Sequence, residues 1–192
     1  MNAKILGLDP TMAIILAVVL VAIAVIGAMV YRRRKSGVLK SRFGPEYARA
    51  VEAKGGVGHA EAELKKREQR VAGFDIHPLA ASERDHYVES WQWLQTNFVD
   101  NPKDAVARAD DLLGQVMASR GYPVAAFEQS SADLSVNHPG VVENYRAAHE
   151  IAGREARGAA STEDLRQAMI HFRRLFEELV APATTAPATT AA

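Results

Sequence analysis

Cysteine is absent from the 192 residues of this chain. Without thiols the protein forms no disulfides, carries no thiolate nucleophile and offers no sulfur ligand to a metal ion. The sequence also lacks any run of alternating β-branched residues long enough to predict a sheet. These absences fit a reducing compartment and leave an all-α fold as the expected class.

The chain has no net charge, yet its charges are segregated along the sequence. Residues 32–73 hold twelve Lys/Arg and five Glu, a net charge of +7. Residues 74–181 hold ten Lys/Arg and seventeen Asp/Glu, a net charge of −7. Nucleic-acid binding would need a basic face on the folded domain, whereas the part expected to fold is acidic. We therefore expect no nucleic-acid partner.

Charged side chains are missing from residues 12–31, which read MAIILAVVLVAIAVIGAMVY. Twenty residues at about 1.5 Å each give a helix of about 30 Å, the thickness of a bilayer core. The sequence therefore predicts a single-pass transmembrane helix, with the lipid bilayer as partner. A cleaved signal peptide is disfavoured because the apolar run is too long and because its basic residues follow it.

Four basic residues follow the apolar run directly: Arg32, Arg33, Arg34 and Lys35. By the positive-inside rule they predict an outer N-terminus and a cytoplasmic C-terminal domain, at the inner membrane of a bacterial cell. The cluster either attracts anionic lipid, at about 1 kcal/mol per charge, or only sets the topology. Small residues share one side of the run, which allows self-association or merely reflects the abundance of alanine: Ala13, Ala17, Ala24, Gly27 and Ala28.

Gly and Pro punctuate a series of helical patterns after residue 35, which predicts a small helical bundle. Helix starts are expected at Pro45, at Ser82 as N-cap, at Asn101-Pro102, at Pro139 and at a capping box opened by Ser161. The last of these helices and the one after Ser82 carry apolar stripes: Tyr87, Trp91, Leu94 and Phe98, then Leu165, Met169, Phe172, Phe176 and Leu179.

The predicted organisation has five parts. Within it, a charged helix at 59–72 is either a stalk or packs on the core, and residues 122–138 are expected to be rich in turns. The parts are a short segment at 1–11, the transmembrane helix at 12–31, a basic connector with charged helices at 32–73, a helical domain at 74–181 and a disordered Ala/Pro/Thr tail at 182–192.

Motifs for catalysis or metal binding are weak. One E-x-x-H pair, Glu83 with His86, would place two ligands on one helix face, but a di-iron bundle needs two such pairs and two more carboxylates. The chain has no G-x-S-x-G motif, and GGVG at 55–58 lacks the lysine of a phosphate-binding loop. We therefore predict no metal, no cofactor and no catalytic residue, and an enzyme is the less favoured class.

Polar side chains are dense between residues 128 and 149. Such a density could line a ligand pocket, or it could cap helices and satisfy loop backbone, since Asn137-His138-Pro139 is an ordinary helix entrance. The candidate pocket residues are Asp133, His138, Asn144, Tyr145 and His149.

Several phrases resemble a known group of proteins: RFGPEY at 42–47, ADLSV at 132–136, HPGVVENYRAAH at 138–149, STEDLRQAM at 161–169 and FEEL at 176–179. Together, over residues 40–180, they resemble an uncharacterised family of small bacterial membrane-anchored proteins. The resemblance implies an anchored helical protein. Because the family has no assigned activity, it implies no catalytic residue here.

The function expected from the sequence is a membrane-tethered interaction or scaffold module at the inner face of a bacterial membrane. Its partner would be another protein or a second copy of the chain. The alternative is a membrane-anchored enzyme or ligand-binding domain that uses residues 128–149. A structure distinguishes the two hypotheses, because the ligand-binding alternative requires Asp133, His138 and His149 to converge in a cleft.

Overall fold

The computed structural model describes residues 10–182, apart from the side chains of residues 10, 11, 13, 28, 30–33 and 35. This part of the chain is helical and contains no strand. The helices are α1 (Pro10–Phe43), α2 (Pro45–Lys54), α3 (Val57–Val71), α4 (Ala81–Asn97), α5 (Pro102–Ser119), α6 (Phe127–Asn137), α7 (Val142–Glu155) and α8 (Thr162–Val180). The predicted all-α class is confirmed.

The transmembrane helix predicted over residues 12–31 is the main correction to the expected fold. Within residues 10–182, no helix has both the length and the apolar content needed to cross a membrane. The apolar run and the basic connector are not separate elements, because α1 continues for 34 residues through positions 32–35. Arginine and lysine are good helix formers, and the next helix-breaking pair is Gly44-Pro45. The apolar side chains described between Met12 and Met29 are exposed.

The chain divides into two compact units, Met1–Arg42 and Phe43–Ala192. In the second unit α8 packs against α5 and α7, and α4 packs against α5. The indole of Trp91 on α4 stacks on Phe176 of α8 with ring centroids 4.8 Å apart. Both predicted apolar stripes lie in this core, with Phe98 only partly buried at its edge.

Helices α2 and α3 form a hairpin within the second unit. The hairpin turns at Gly55, whose φ of 68° is left-handed and favours glycine. Ala60, Leu64 and Val71 of α3 are buried, and α3 packs against α6. The choice left open for the charged helix is therefore decided, because α3 packs on the folded domain.

The predicted helix starts agree with the structure at some positions and not at others. Pro45 and Pro102 begin α2 and α5, and Ser161 caps α8 by accepting the backbone N–H of Asp164 at 3.2 Å. Ser82 is not the N-cap of α4, because α4 begins at Ala81. Residues 122–138 are not merely turns, since α6 occupies Phe127–Asn137.

Candidate ligand-binding cleft

Three of the five predicted pocket residues line one cleft. Asp133 on α6 and Tyr145 and His149 on α7 face a cleft of about 520 Å³, whose opposite wall is α5. Tyr145 and His149 share a face because they lie four residues apart on a helix. The volume of this cleft falls within the range of small-molecule sites, about 300–1,000 Å³.

The other two predicted residues lie outside the cleft and connect to α8. His138 places its Nδ1 atom 3.1 Å from the Oε1 atom of Glu178, and burial lowers the pKa of this imidazole although the carboxylate acts in the opposite direction. The Oδ1 atom of Asn144 accepts hydrogen bonds from His171 and Arg174. His138 and Asn144 therefore do not line this cleft, because both side chains bond to residues of α8.

Aromatic rings form one wall of the cleft. The ring of Phe127, the first residue of α6, stacks on His149 with centroids 3.6 Å apart and planes 5° apart. The rings of Tyr145 and Phe127 are tilted relative to each other, with centroids 4.9 Å apart. Because residues 122–138 are expected to be rich in turns, sequence patterns alone do not place Phe127 against Tyr145 and His149.

Asp110 on α5 was missed by the sequence reading. Its Oδ2 atom lies 3.1 Å from Nδ1 of His149, although the two residues are 39 positions apart. Its Oδ1 atom is buried and has no hydrogen-bond partner. Burial raises the pKa of Asp110, although His149 acts to lower it. Asp110 and Asp111 are adjacent on α5, and acidic residues on a helix are usually solvated. Only the packing of α5 against α7 shows that Asp110 belongs to the cleft.

Tyr145 presents a second polar group without a partner. The residue is only 5% exposed, and its hydroxyl makes no hydrogen bond with the part of the chain that the structure describes. Desolvation, followed by the nearby charge of Asp110, raises the pKa of this phenol far above its usual value. Asp110 and Tyr145 therefore both have hydrogen-bonding capacity that the described residues leave unused.

The carboxylate of Asp133 differs from that of Asp110 because it is already satisfied. Its Oδ1 atom lies 3.1 Å from Nε of Arg70 on α3, and Gln129 donates to the same oxygen at 2.8 Å. The side chain is 2% exposed. Asp133 therefore attaches α3 to the cleft wall and has little capacity left for a ligand.

The cleft carries no nucleophile poised for catalysis among the described residues. Ser130 lines it, but its hydroxyl donates to the carbonyl oxygen of Ala125 at 3.3 Å and not to His149. A serine–histidine relay requires a hydrogen bond between those two groups. The arrangement is suited to binding.

The remaining candidate groups can be placed briefly. Glu83 accepts the backbone N–H of Ala80 at 3.0 Å and so caps α4. No three side chains of His, Asp or Glu in the described part converge as a metal site would require. Arg34 is exposed, whereas the side chains of Arg32, Arg33 and Lys35 lie outside the described residues, as does the predicted tail from residue 183.

Comparison with known proteins gives no family assignment. No protein-family model matches the chain, and no curated protein and no solved structure matches it. The proposals below therefore depend on the residues of the cleft and of α1 alone.

Proposed function

We propose that residues 43–182 form a binding domain for a small organic molecule, which occupies the cleft between α5, α6 and α7. The observation that carries this proposal is a cleft with an aromatic wall that is also lined by the partly exposed carboxylate of Asp110 and by Tyr145, whose hydroxyl has no hydrogen-bond partner among the described residues. Ligand sites commonly combine apolar walls with a few convergent polar atoms. The cleft has this composition.

The apolar part of the lining supports the same proposal. Met117 and Ala118 of α5 and Val124 and Ala125 of the following loop contribute aliphatic surface opposite the aromatic wall. A ligand that covers this surface gains the usual hydrophobic contribution, roughly 25 cal/mol per Å². Val124 is 90% exposed, so a ligand that covers it removes apolar surface from water.

Gly114 offers a way to close the cleft without disturbing the fold. It lies on α5 in the cleft lining, and a β-carbon added there would meet no atom within 4 Å. We expect Gly114→Leu to fold normally, with a helix stabilised by up to about 1 kcal/mol, and to lose ligand binding. Ligand-observed NMR with a panel of cationic, anionic and neutral small molecules measures this loss.

The matched control is Gly58→Leu on α3, which is equally open and lies outside the cleft lining. Compounds that bind the wild type should bind Gly58→Leu equally and Gly114→Leu much more weakly. If no compound binds the wild type, or if Gly114→Leu binds as well as the control, the proposed function is incorrect.

A second candidate is an interaction module that self-associates through α1. The observation that favours it is the exposure of the large apolar side chains described between Met12 and Met29, with Ile23 exposed at 61%. Contiguous apolar surface of this extent is normally covered by a partner. We propose a second copy of α1 as that partner, since the small residues Ala17, Ala24 and Gly27 allow close helix approach.

Charge substitution on α1 tests the second candidate. We expect Ile23→Lys to lower the weight-average sedimentation coefficient of the full chain, because a buried lysine would be desolvated at the helix contact. Val38→Lys is the control, since Val38 lies on the same helix, beyond the basic residues, and is 66% exposed. A monomeric wild type, or equal behaviour of the two variants, would exclude self-association through α1.

The inner-membrane location and the bilayer as a partner remain predictions from the sequence and form no part of either proposal. Catalysis is not proposed, because the described cleft residues lack a paired nucleophile and base.

A further inference from the structure

We infer that the cleft between α5, α6 and α7 takes an organic cation, such as an alkylammonium or amidinium, with its charged end on Asp110 and Tyr145. This inference rests on the proposed binding function and specifies the chemistry of the ligand. The first reason is the charge of the lining. Asp110, Asp111 and Asp133 all contribute to it, whereas none of its described residues is Lys or Arg.

The three carboxylates are not equivalent. Arg70 neutralises Asp133, as described above, whereas Asp111 has no ion pair among the described residues and Asp110 contacts only the imidazole of His149. The unbalanced negative charge therefore lies on the α5 side of the cleft. An anionic ligand would be repelled from this side, and a cationic one would be attracted.

The unpartnered groups specify a donor-rich ligand. When Asp110 is ionised its oxygens can only accept hydrogen bonds, and its side chain is 26% exposed at the cleft lining, with His149 as its one hydrogen-bond partner among the described residues. Tyr145 lines the same cleft, and its hydroxyl makes no hydrogen bond with the described residues. One ammonium group carries three donors, enough for one carboxylate oxygen and one hydroxyl oxygen. A neutral ligand with one donor would satisfy only one of them.

The aromatic wall favours the same chemistry. The rings of Phe127 and Tyr145 lie in the lining, and Tyr122 adds a third. A cation within about 6 Å of an aromatic ring centroid is attracted by the ring quadrupole, more strongly where water is excluded. The aliphatic lining residues then contact the organic body of the ligand.

A bare metal ion fits the site poorly. Calcium and magnesium need six or more oxygen ligands, with several from the protein. No three His, Asp or Glu side chains converge within the described residues, and the cleft of about 520 Å³ is far larger than an ion. An organic cation fills such a volume and needs only one carboxylate.

A matched series of small probes tests the inference by isothermal titration calorimetry on the full chain. Phenethylammonium, 2-phenylethanol and 3-phenylpropionate share a phenyl group and a short chain but differ in charge. We expect the wild type to bind the ammonium at least about tenfold more tightly than the alcohol, the value of one charge-assisted hydrogen bond, and not to bind the carboxylate.

Two variants locate the charged end. Asp110→Asn keeps the shape of the side chain and should lower affinity for the ammonium about tenfold, with no change for the alcohol. Tyr145→Phe should lower ammonium affinity less, by roughly threefold, because one neutral hydrogen bond is lost. Asp104→Asn removes a charge from the same helix outside the cleft and should change neither affinity.

The outcomes separate the two proposals. If the alcohol binds as tightly as the ammonium and Gly114→Leu abolishes both, the ligand class is wrong and the binding function stands. If neither compound binds the wild type and the wider panel also fails, both proposals fall.

Discussion

Glu46→Ala is expected to lower the free energy of unfolding by about 3–5 kcal/mol. Glu46 on α2 is 1% exposed and accepts hydrogen bonds from Arg67 on α3 at 2.8 Å and from Nη2 of Arg146 on α7 at 3.0 Å. The two guanidinium groups are themselves only 14% and 12% exposed. Removing the carboxylate deprives two largely buried arginines of the anion that they share, which is the costly half of a broken buried ion pair. Each arginine then keeps only a more exposed carboxylate, Glu63 for Arg67 and Glu143 for Arg146.

The measurement is urea denaturation followed by circular dichroism, with hydrogen exchange in α2 and α3 to detect local opening. Glu52→Ala on the same helix is the control, because Glu52 is exposed and should change stability by less than about 0.5 kcal/mol. Equal effects of the two substitutions would show that the Glu46 cluster does not stabilise the domain.

The ion pairs of Glu46 with Arg67 and Arg146 also make the stability of the domain depend on pH. Burial by itself raises the pKa of Glu46, but the hydrogen bonds and charges of Arg146 and Arg67 outweigh burial and lower it below 4.5. A carboxyl group with a lowered folded pKa stabilises the protein above its unfolded pKa, and this contribution is lost as the pH falls through the folded value. Glu46→Gln should therefore flatten the loss of stability below about pH 5.

Gly121→Ala is expected to destabilise the domain by about 3 kcal/mol or more. Gly121 follows α5 with a φ of 88°, and a β-carbon there would lie 1.9 Å from the carbonyl oxygen of Asp75. The strain of a left-handed alanine, about 1–2 kcal/mol, thus adds to an overpacking cost of about 1–3 kcal/mol. The backbone at Asp75 or Gly121 must therefore move. This movement would disturb the neighbouring hydrogen bond from His77 N–H to the Arg120 carbonyl oxygen, which is 3.0 Å long.

Gly158→Ala separates the two costs. Gly158 has a φ of 70° but open space around its α-carbon, so its alanine variant bears only the conformational cost. We expect the midpoint of thermal unfolding to fall clearly further for Gly121→Ala than for Gly158→Ala. Equal midpoints would mean that the contact between Asp75 and Gly121 does not constrain the fold.

Features set by neighbouring residues could be predicted from the sequence. Pro45 and Pro102 begin helices because their fixed φ suits a first turn, and Ser161 with Asp164 forms a reciprocal cap. The apolar stripe of α8 lies in the core because a period of three and four residues places its members on one face. Helix α6 was missed because its polar composition, with Ser130, Ser131 and Asn137, resembles that of a loop.

The candidate cleft could be predicted only in part. The density of polar residues indicated Tyr145 and His149, which lie one helical turn apart, and the burial of Asp133 agrees with a pocket wall. The role of Asp110 could not be predicted from the sequence, because its contact with His149 joins α5 to α7 and does not depend on the residues next to Asp110 in the chain. His138 does not line the cleft, and its partner Glu178 is 40 residues away on α8.

The sequence by itself determined that the chain is helical, where α2, α5 and α8 begin and which faces α4 and α8 bury. Those properties depend on the backbone preferences of single residues and on periods of a few residues. Only the tertiary structure decided that α3 packs on the domain, that Glu46 is held by two arginines and that Asp110 and Tyr145 line the same cleft. The physical reason is that each of these contacts joins different helices, so its energy depends on how the helices pack and not on local sequence.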